Sequence, residues 1–314
     1  MRIAIVGAEN EAHSVHMKGL LERRGSEVVI IDTIKFPASA TLSVFPQETT
    51  YNGKSLNDIN VYYVRSVFYS EPPYDLEDRR KEADVDMANW YVEYQAERER
   101  QSHLASWLLI LSLQGKAVVN PVASFDLHYV KNYQTHLLKK NGIIVPATLV
   151  TNDPVDLKEF AKAFKTVVYK PVAGGAACKR LQKSDLATER LERLKSAPVM
   201  FQEEILGDNI RVYVLENKII SANVIYTDAV DFRGHEKAFE RVKLPEKVKN
   251  MCVKAVKVCG MKFSGIDLKR DLKGNYVLLE CNPSAMFIGM AHATGDPIDE
   301  YLADYFVKKA KSFK

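Results

Sequence analysis

The sequence predicts an α/β domain at the N-terminus, followed by a larger region of α+β character. Residues 1–32 read as an apolar run, a helical pattern and a second apolar run, which is the order of a βαβ unit. After residue 121 the pattern changes to strands and hairpins separated by helices. A chain of 314 residues exceeds one ordinary compact core, so two or three domains are expected.

The elements of the N-terminal region follow in order along the chain. Gly7 ends the first strand, and the helical stretch that follows runs to Arg24 and stops at Gly25. The later elements are a strand at 59–69 with Arg65 near its end, a turn-rich segment at 70–86, a long helical pattern at 87–113 and a last strand at 115–121. We expect the chain to cross into the next domain at 121–130.

The second region alternates short strands, hairpins and helices. Its predicted elements are a helix at 129–140, strands at 144–151, 166–171 and 199–206, a hairpin at 210–226, a helix at 246–258, a second hairpin at 261–282 and a closing helix from about residue 297. This rhythm is that of an α+β domain.

Composition and charge exclude several classes of protein. A net charge of +4 with mixed signs is too small to indicate nucleic-acid binding. There is no apolar run of about 18 residues to span a membrane and no signal-peptide pattern at the start. The four cysteines form no C-x-x-C pair. We therefore expect a cytoplasmic protein with reduced thiols.

A dinucleotide site is one alternative for the βαβ unit, because Asp32 ends its second strand, where an acid can bind a ribose. The turn after the first strand contains one glycine, Gly7, where the dinucleotide fingerprint requires three. The sequence therefore disfavours a nicotinamide oxidoreductase.

Three oxygen-bearing side chains lie near the end of the last predicted hairpin. A two-residue turn at Lys273-Gly274 pairs Asp267 with Glu280 across the strands, and Asn282 lies on the same face. Opposed carboxylates repel each other, and a hard cation such as Mg²⁺ converts that repulsion into coordination. The alternative is a solvated hairpin end with chance acids, since a one-residue slip moves Asp267 to the other face.

Several residues upstream suit phosphate binding. Lys170 ends a strand just before Gly174-Gly175, whose bare backbone can approach phosphates. The lysine precedes the glycines, so this is no Walker loop, and an ordinary turn is the alternative. Asn209 and Arg211 share a face of the first hairpin, and Arg233 follows it.

Four stretches carry a resemblance to a known family. They are "NPVASFDLHYVKNYQTHLLKKNGIIVPAT", "VVYKPVAGGAACKR", "FQEEILGDNIRVYVL" and "GIDLKRDLKGNYVLLECNPS". In this order and at domain-scale spacing they resemble the ATP-grasp fold, most closely its branch of ribosomal-protein glutamate ligases and glutathione synthetases. The resemblance covers about residues 115–290, with a less specific match for the N-terminal domain.

This resemblance implies a domain organisation. It consists of a Rossmann-like, pre-ATP-grasp domain at 1–120, an ATP-grasp small lobe with a phosphate lid at 121–202 and an ATP-grasp C-terminal lobe with the Mg²⁺ site at 203–314. Dimers and tetramers occur among such relatives, so a homo-oligomer is an expectation by analogy.

The resemblance also implies roles for individual residues. Nucleotide contacts would come from Lys131 and Lys170 on the phosphates, Gly174, Gly175 and Ala176 in the lid, Gln202, Glu203, Glu204 and Ile205 at the adenine, and Asn209 or its neighbour Asp208 at the ribose. Arg233 would act on the triphosphate and Arg211 near the substrate groove. Asp267, Glu280 and Asn282 would bind two Mg²⁺ ions, for which Mn²⁺ can substitute.

The implied activity is ATP-dependent ligation of a carboxylate to an amine through an acyl phosphate, with release of ADP and phosphate. Arg65, Asn282 and Ser284 would contact a small-molecule or peptide substrate, and residues 283–287 depart from the relatives' pattern. A first alternative is a peptide-modifying ligase that forms side-chain amide or ester links. A second is a non-catalytic ATP-binding protein, which the retained lysines and metal ligands disfavour.

Overall fold

The structure is a computed structural model that describes residues 1–66, 87–173 and 176–313. The chain forms two compact units, Met1–Val122 with Asp299–Lys314, and Ala123–Ile298. The first unit is thus completed by the C-terminal segment, and the second is formed by one continuous stretch.

A parallel sheet forms the centre of the first unit. Its strands are β1 (Arg2–Gly7), β2 (Glu27–Asp32), β6 (Val61–Val64) and β7 (Ala117–Val119), in the spatial order β2-β1-β6-β7. A small antiparallel sheet contains β3 (Leu42–Val44), β4 (Thr49–Tyr51) and β5 (Lys54–Ser55). Most residues of β1 and all of β6 are buried, which explains why both strands read as continuous apolar runs.

Three helices belong mainly to the first unit: α1 (Ala12–Arg23), α2 (Met87–Leu113) and the C-terminal helix α9 (Ile298–Ser312). Aromatic contacts join two of them to β6, with Trp107 of α2 at 5.7 Å from Tyr62 and Phe306 of α9 at 4.9 Å from Tyr63, measured between ring centroids. The long helix occupies the range predicted for it. Residues 67–69 of the predicted strand and the whole of the turn-rich segment 70–86 lie outside the described residues.

The second unit contains a four-stranded antiparallel sheet. Its strands are β8 (Thr148–Thr151), β9 (Val167–Pro171), β10 (Lys179–Arg180) and β11 (Val199–Glu203), in the order β10-β9-β11-β8. The helices α5 (Pro154–Ala163) and α6 (Thr188–Leu191) accompany it, with 3₁₀ turns at 183–186 and 192–196. Val167, Leu157 and Phe201 are among the buried side chains that hold this layer together.

A five-stranded antiparallel sheet forms the rest of the second unit. Its strands are β12 (Gly207–Leu215), β13 (Lys218–Tyr226), β14 (Ala238–Arg241), β15 (Phe263–Asp271) and β16 (Tyr276–Asn282), in the order β14-β13-β12-β15-β16. Its helices are α3 (Val122–Tyr129), α4 (Lys131–Lys140), α7 (Glu246–Val258) and α8 (Ile288–Thr294). One face packs its apolar side chains in a core with α4 and α7, and the polar residues of the candidate site alternate onto the other face.

The chain passes from the first unit to the second between Val122 and Ala123, inside the segment 121–130 where the crossing was predicted. Most of that segment is the helix α3, which was not predicted. Val122, Phe125 and Leu127 are buried, so the segment gains apolar packing by becoming helical. The next helix accordingly begins at Lys131 rather than at residue 129. A helix start at Lys131 places this lysine in the first turn, next to the end of β16.

Asp32 has a structural part in the first unit. Its carboxylate accepts backbone N–H groups from Glu9 at 3.1 Å, Ile34 at 2.8 Å and Lys35 at 2.9 Å. These bonds close the turn that follows β2. They account for the acid at this position without a ribose.

Within the described part of the chain, no helix has the length and apolar character needed to cross a bilayer.

Candidate active site

The hairpin that carries the predicted metal ligands has a longer turn than predicted. Arg270 lies opposite Tyr276, so the loop consists of three residues, 272–274. The two-residue turn would have paired Arg270 with Val277, and that part of the prediction is wrong. The Asp271 carboxylate accepts two backbone N–H groups, at 2.9 and 2.8 Å, within and just after this loop. Such local hydrogen bonds favour the longer loop.

A β-bulge restores the predicted pairing at the site. Leu268 lies opposite Leu278, whereas Asp267 lies opposite Glu280, so Leu279 is an additional residue on β16. The bulge compensates for the extra residue in the turn. Asp267 and Glu280 therefore face each other across the strands as predicted.

The three predicted metal ligands lie together on this face. Asn282 Nδ2 donates to Asp267 Oδ2 at 3.2 Å, beside the Asp267–Glu280 pair. Arg211 Nε lies 3.1 Å from Asp267 Oδ1. That buried oxygen nevertheless accepts no well-aligned hydrogen bond from the residues that the structure describes. A buried carboxylate oxygen with unused acceptor capacity suits a cation.

These three side chains suit a Mg²⁺ ion that is also bound by oxygens from outside the protein. Two carboxylates and an amide oxygen are hard donors, which Mg²⁺ prefers. The described residues contain no group of three or more His, Cys, Asp or Glu side chains that could hold a metal. An ion here would therefore need further oxygens from water or from nucleotide phosphates, which is how Mg²⁺ is usually bound.

Cations on neighbouring elements set the charge states of the two carboxylates. Lys131 Nζ lies 2.5 Å from Glu280 Oε2. Burial alone would raise the pKa of Glu280, but Lys131 and Lys170 together lower it below its usual value. For Asp267, burial prevails and raises the pKa to about 6, with Glu280 adding to the rise and Arg211 opposing it. The site therefore combines an ionised Glu280 with a carboxyl group that is costly to ionise.

Asp267→Asn is expected to gain stability relative to the wild type as the pH rises from about 4 to about 7. The raised pKa of Asp267 means that the native state holds a proton that the unfolded chain releases, so wild-type stability falls over this interval. Asparagine does not titrate, and the relative gain should reach about 1–3 kcal/mol. Denaturant unfolding of both proteins without divalent cations measures it.

Asp271→Asn is the matched control on the same hairpin. Hydrogen bonds from Asn275 lower the pKa of Asp271, so its contribution is present above the unfolded pKa and is lost as the pH falls. Its substitution should therefore become less favourable as the pH rises, which is the opposite slope. Parallel slopes for the two variants would contradict the description of Asp267 as a strained carboxylate.

Gln134 is a site-supporting residue that the sequence reasoning missed. It is buried, and its side-chain amide accepts from Cys281 N at 2.8 Å and donates to Cys281 O at 3.0 Å. This pair of bonds fixes α4 to β16 one turn after Lys131 and one residue after Glu280. The available signal was an amide on the helix face that also carries the buried Leu138.

Lys170 lies on the polar face of the four-stranded sheet. Val167 and Tyr169 pack in the apolar core of that sheet, so the alternation of β9 directs Lys170 to the other side. It is close enough to Glu280 to lower the pKa of that residue. The predicted lid residues Gly174 and Gly175 lie outside the described residues, while Ala176 is described and exposed.

The predicted adenine segment is anchored through its side chains. Gln202 Nε2 donates to Thr148 Oγ1 at 2.9 Å, and Glu203 Oε1 accepts the backbone N–H of Ala147 at 2.8 Å. A two-point ion pair, 2.8 and 2.6 Å long, joins Glu204 to Arg180. These contacts hold residues 202–205 in place through side chains, so a base bound here would meet mainly the backbone.

Of the two predicted ribose residues, the structure brings only Asn209 onto the site face. Asn209 is buried and alternates with the core residue Ile210, so it points to the same side as Arg211. Asp208 instead accepts a hydrogen bond from Arg270 Nε at 2.9 Å.

The two predicted catalytic arginines approach the carboxylates from different elements. Arg211 is on β12, and its guanidinium carbon lies 5.8 Å from the ring centroid of Phe232. Arg233 follows β13 and is mostly exposed, yet Glu280 and Asp267 are close enough to raise its pKa further after its main partner, Asp231. The structure thus brings both cations close to the two carboxylates that are predicted to bind metal.

Residues 283–287, where the sequence departs from its relatives, form an anchored segment. Tyr213 OH donates to Met286 O at 2.6 Å, and Phe287 is fully buried against Phe263. Ser284, the predicted substrate contact, is partly exposed within this segment.

Gly265 is a second residue that the sequence reasoning missed. A Cβ at this position would lie 2.8 Å from Ala285 Cβ and 2.9 Å from Arg211 Nη1. The absent side chain therefore allows both the 283–287 segment and Arg211 to approach β15. The available signal was a glycine inside an apolar strand, which often marks a close approach.

Arg65 belongs to the first unit and is buried at the end of β6. Its Nη2 lies 3.1 Å from Glu11 Oε1, and its Nη1 donates to Tyr63 OH at 3.3 Å. Glu11 also contacts His13 Nδ1 at 2.8 Å. Arg65 is thus part of a compensated buried cluster, and its contact with substrate stays a prediction.

Known proteins resemble this chain along its length. The model of the RimK-like ATP-grasp domain matches residues 130–306. A probable alpha-L-glutamate ligase of Vibrio vulnificus is 26% identical over 325 residues, which cover 99% of this chain and 97% of that protein. The ATP-grasp ligase PsnB, complexed with a phosphomimetic variant of its minimal precursor, Mg and ADP, is 34% identical over 98% of both chains, with a TM-score of 0.88. The macrocyclase MdnC from Microcystis aeruginosa, bound with precursor peptide MdnA, shares the fold at 20% identity over 98% of this chain and 100% of that one, with a TM-score of 0.78.

Fold and site together define a ligase of the ATP-grasp class, whose members use ATP and Mg²⁺. The matching domain spans more than half of the chain. The protein belongs to the RimK-like ATP-grasp family, as the resemblance predicted, and is an ATP-dependent ligase.

Proposed function

We propose that this ligase joins a side-chain carboxylate of a precursor peptide to an amine or hydroxyl of the same peptide. The supporting observation is the similarity to PsnB, at 34% identity over 98% of both chains, in a complex with its minimal precursor. The products would be the linked peptide, ADP and phosphate, with an acyl phosphate as the intermediate. When the nucleophile is an amine, this reaction is the carboxylate–amine ligation that the family resemblance implies.

The site residues would bind the nucleotide and metal as follows. Asp267, Glu280 and Asn282 would hold Mg²⁺, with two ions at full occupancy and Mn²⁺ as a substitute. Lys131 and Lys170 would bind phosphates, residues 202–205 would line the adenine through their backbone, and Asn209 would contact the ribose. Mg·ATP, when bound, supplies the phosphoryl group that activates the carboxylate.

The chain's own residues would act by position and charge. The substrate carboxylate attacks the γ-phosphorus and ADP leaves, and the nucleophile then attacks the acyl carbon, loses its proton and displaces phosphate. Negative charge develops on the oxygens of the transferred phosphoryl group. The N–H donors of Lys131, Arg211 and Arg233 would stabilise this charge. Such prearranged charge is the main means of catalysis in phosphoryl transfer.

The second candidate is a ligase that adds glutamate to a carboxylate acceptor. It is supported by the 26% identity to a probable alpha-L-glutamate ligase over 99% of this chain. The identity to PsnB is higher at similar coverage, which favours the peptide-modifying reaction.

Mass spectrometry distinguishes the two candidates. The purified protein is incubated with Mg·ATP, glutamate and a synthetic peptide with the sequence of the minimal precursor bound by PsnB. Intramolecular linkage removes one water per bond, whereas glutamate addition increases the peptide mass by one residue. ADP should form in proportion to either product. ADP release without a change in peptide mass, and no binding of that peptide, would refute the proposed substrate.

A further inference from the structure

Asp231 is the partner of the predicted catalytic residue Arg233. Its Oδ1 accepts from Arg233 Nε at 2.8 Å, and its Oδ2 lies 2.5 Å from Arg233 Nη2. Oδ1 also accepts the backbone N–H of Arg233 at 3.2 Å. The carboxylate of Asp231 therefore binds both the guanidinium and the backbone N–H of Arg233.

Asp231 also joins this arginine to residues 176–178, at the C-terminal end of the predicted phosphate lid. Its Oδ2 accepts the backbone N–H of Cys178 at 2.9 Å. Arg233 Nη2 lies 3.5 Å from the carbonyl oxygen of Ala176 in the same segment. One carboxylate thus fixes the loop after β13 to residues 176–178.

Burial distinguishes this pair from an ordinary surface ion pair. The side chain of Asp231 is 13% exposed, whereas that of Arg233 is 64% exposed. Exposed pairs of long side chains contribute little because both partners stay mobile. Here the buried carboxylate is fixed by backbone bonds, so it can serve as the anchor for an otherwise mobile cation.

The anchoring leaves one end of the guanidinium available. Arginine has five N–H donors, and Asp231 and Ala176 engage those on Nε and Nη2. Nη1 is bound by none of the residues in the described ranges. The neighbouring Phe232 covers the guanidinium of Arg211 at 5.8 Å, so this loop also lies over the site face of β12.

We propose that Asp231 is a positioning residue that holds Arg233 with its Nη1 end toward the terminal phosphate of the bound nucleotide. The inference rests on the proposed nucleotide site and adds to it a residue that the sequence analysis did not single out. Asp231 touches no reacting atom and acts through Arg233. Without Asp231, Arg233 would keep its charge but would no longer be held in one orientation. Ordering it upon binding would then lower the affinity for the terminal phosphate.

Nucleotide selectivity tests this role without knowledge of the peptide substrate. Dissociation constants of ADP and of a non-hydrolysable ATP analogue are measured with Mg²⁺ by calorimetry. The wild type should prefer the analogue, and Arg233→Met should reduce that preference about tenfold. Asp231→Ala should reduce it nearly as much, while Asp231→Glu should restore part of it.

The double variant separates positioning from general structural support. If Asp231 acts through Arg233, then Asp231→Ala combined with Arg233→Met should be no less selective than Arg233→Met alone. Asp228→Ala is the matched control, because this exposed aspartate pairs with Lys237 in the same loop region. It should leave the preference unchanged. If Asp231→Ala fails to fold, Asp231→Asn is used instead. It keeps an acceptor for the N–H of Cys178 but loses the ion pair with Arg233.

Additive effects in the double variant would overturn the proposal, as would an unchanged preference in Asp231→Ala. Equal wild-type affinities for ADP and the analogue would also overturn it, because Arg233 would then not meet the terminal phosphate. If the wild type bound neither nucleotide, the proposed nucleotide site itself would be wrong. The failures of the two proposals are therefore distinguishable.

Discussion

Glu280→Gln is expected to lower ATP-dependent ADP release by at least about 10²-fold. The substitution keeps the size of the side chain but removes the charge that faces Asp267 and pairs with Lys131. If Glu280 binds Mg²⁺ as proposed, the substitution replaces a carboxylate ligand by a weaker neutral one. The loss should appear in a coupled ADP assay with the precursor peptide as substrate.

The control for this loss is Glu240→Gln, which changes an exposed carboxylate on the edge strand β14. It should retain wild-type turnover. Circular dichroism should show that Glu280→Gln is folded at the assay temperature. Turnover close to that of the wild type in a folded Glu280→Gln protein would remove this residue from the metal site.

Gly265→Ala is expected to impair both stability and nucleotide-dependent turnover. Its new methyl group would lie 2.8 Å from Ala285 Cβ and 2.9 Å from Arg211 Nη1, which is closer than packed atoms tolerate. Overpacking of this kind costs about 1–3 kcal/mol. Arg211 must also move away from Asp267, so turnover should fall more than the lost stability alone explains.

Thermal unfolding and the ADP assay measure the two effects separately. The control is Gly289→Ala in α8, where an added Cβ meets nothing within 4 Å. It should leave turnover unchanged and cost little stability. If Gly265→Ala reduced the melting temperature but kept full turnover below it, Gly265 would matter for packing only.

The sequence was sufficient for the parts of the fold that follow from local pattern. Helix α2 matches its predicted range, and the predicted strands and hairpins of the second unit overlap observed strands, whereas the short strands β10 and β14 were not predicted. The helix α3 within the crossing segment 121–130 was missed because it owes its formation to buried packing of Val122, Phe125 and Leu127. Packing of that kind depends on the tertiary structure, which local propensity does not contain.

The pairing of Asp267 with Glu280 was predicted correctly from a turn that proved to be wrong. A loop one residue longer and a bulge at Leu279 shift the register in opposite directions, so their effects cancel at the site. Neither departure is marked in the sequence by an unusual residue. The correct pairing at the site therefore resulted from two compensating departures and not from a correct turn.

The supporting residues were the hardest to foresee. Gln134 contacts the backbone of Cys281, which is 147 positions away in the chain, and Gly265 makes room for residues from two other elements. Such roles depend on which segments meet in space. The choice between Asn209 and Asp208 as the residue on the site face was settled by the burial of Ile210 in the core, which places Asn209 on the opposite face.

The bulge at Leu279 has a practical consequence for experiments on this protein. The register at Glu280 is reset at the bulge, so the pairing of Asp267 with Glu280 does not depend on the exact length of the loop at the hairpin tip. The tip is also solvent-accessible, with Leu272 at 84% exposure. Residues 272–274 are therefore a suitable place to attach a fluorophore or an affinity tag, and we expect the labelled protein to keep its activity.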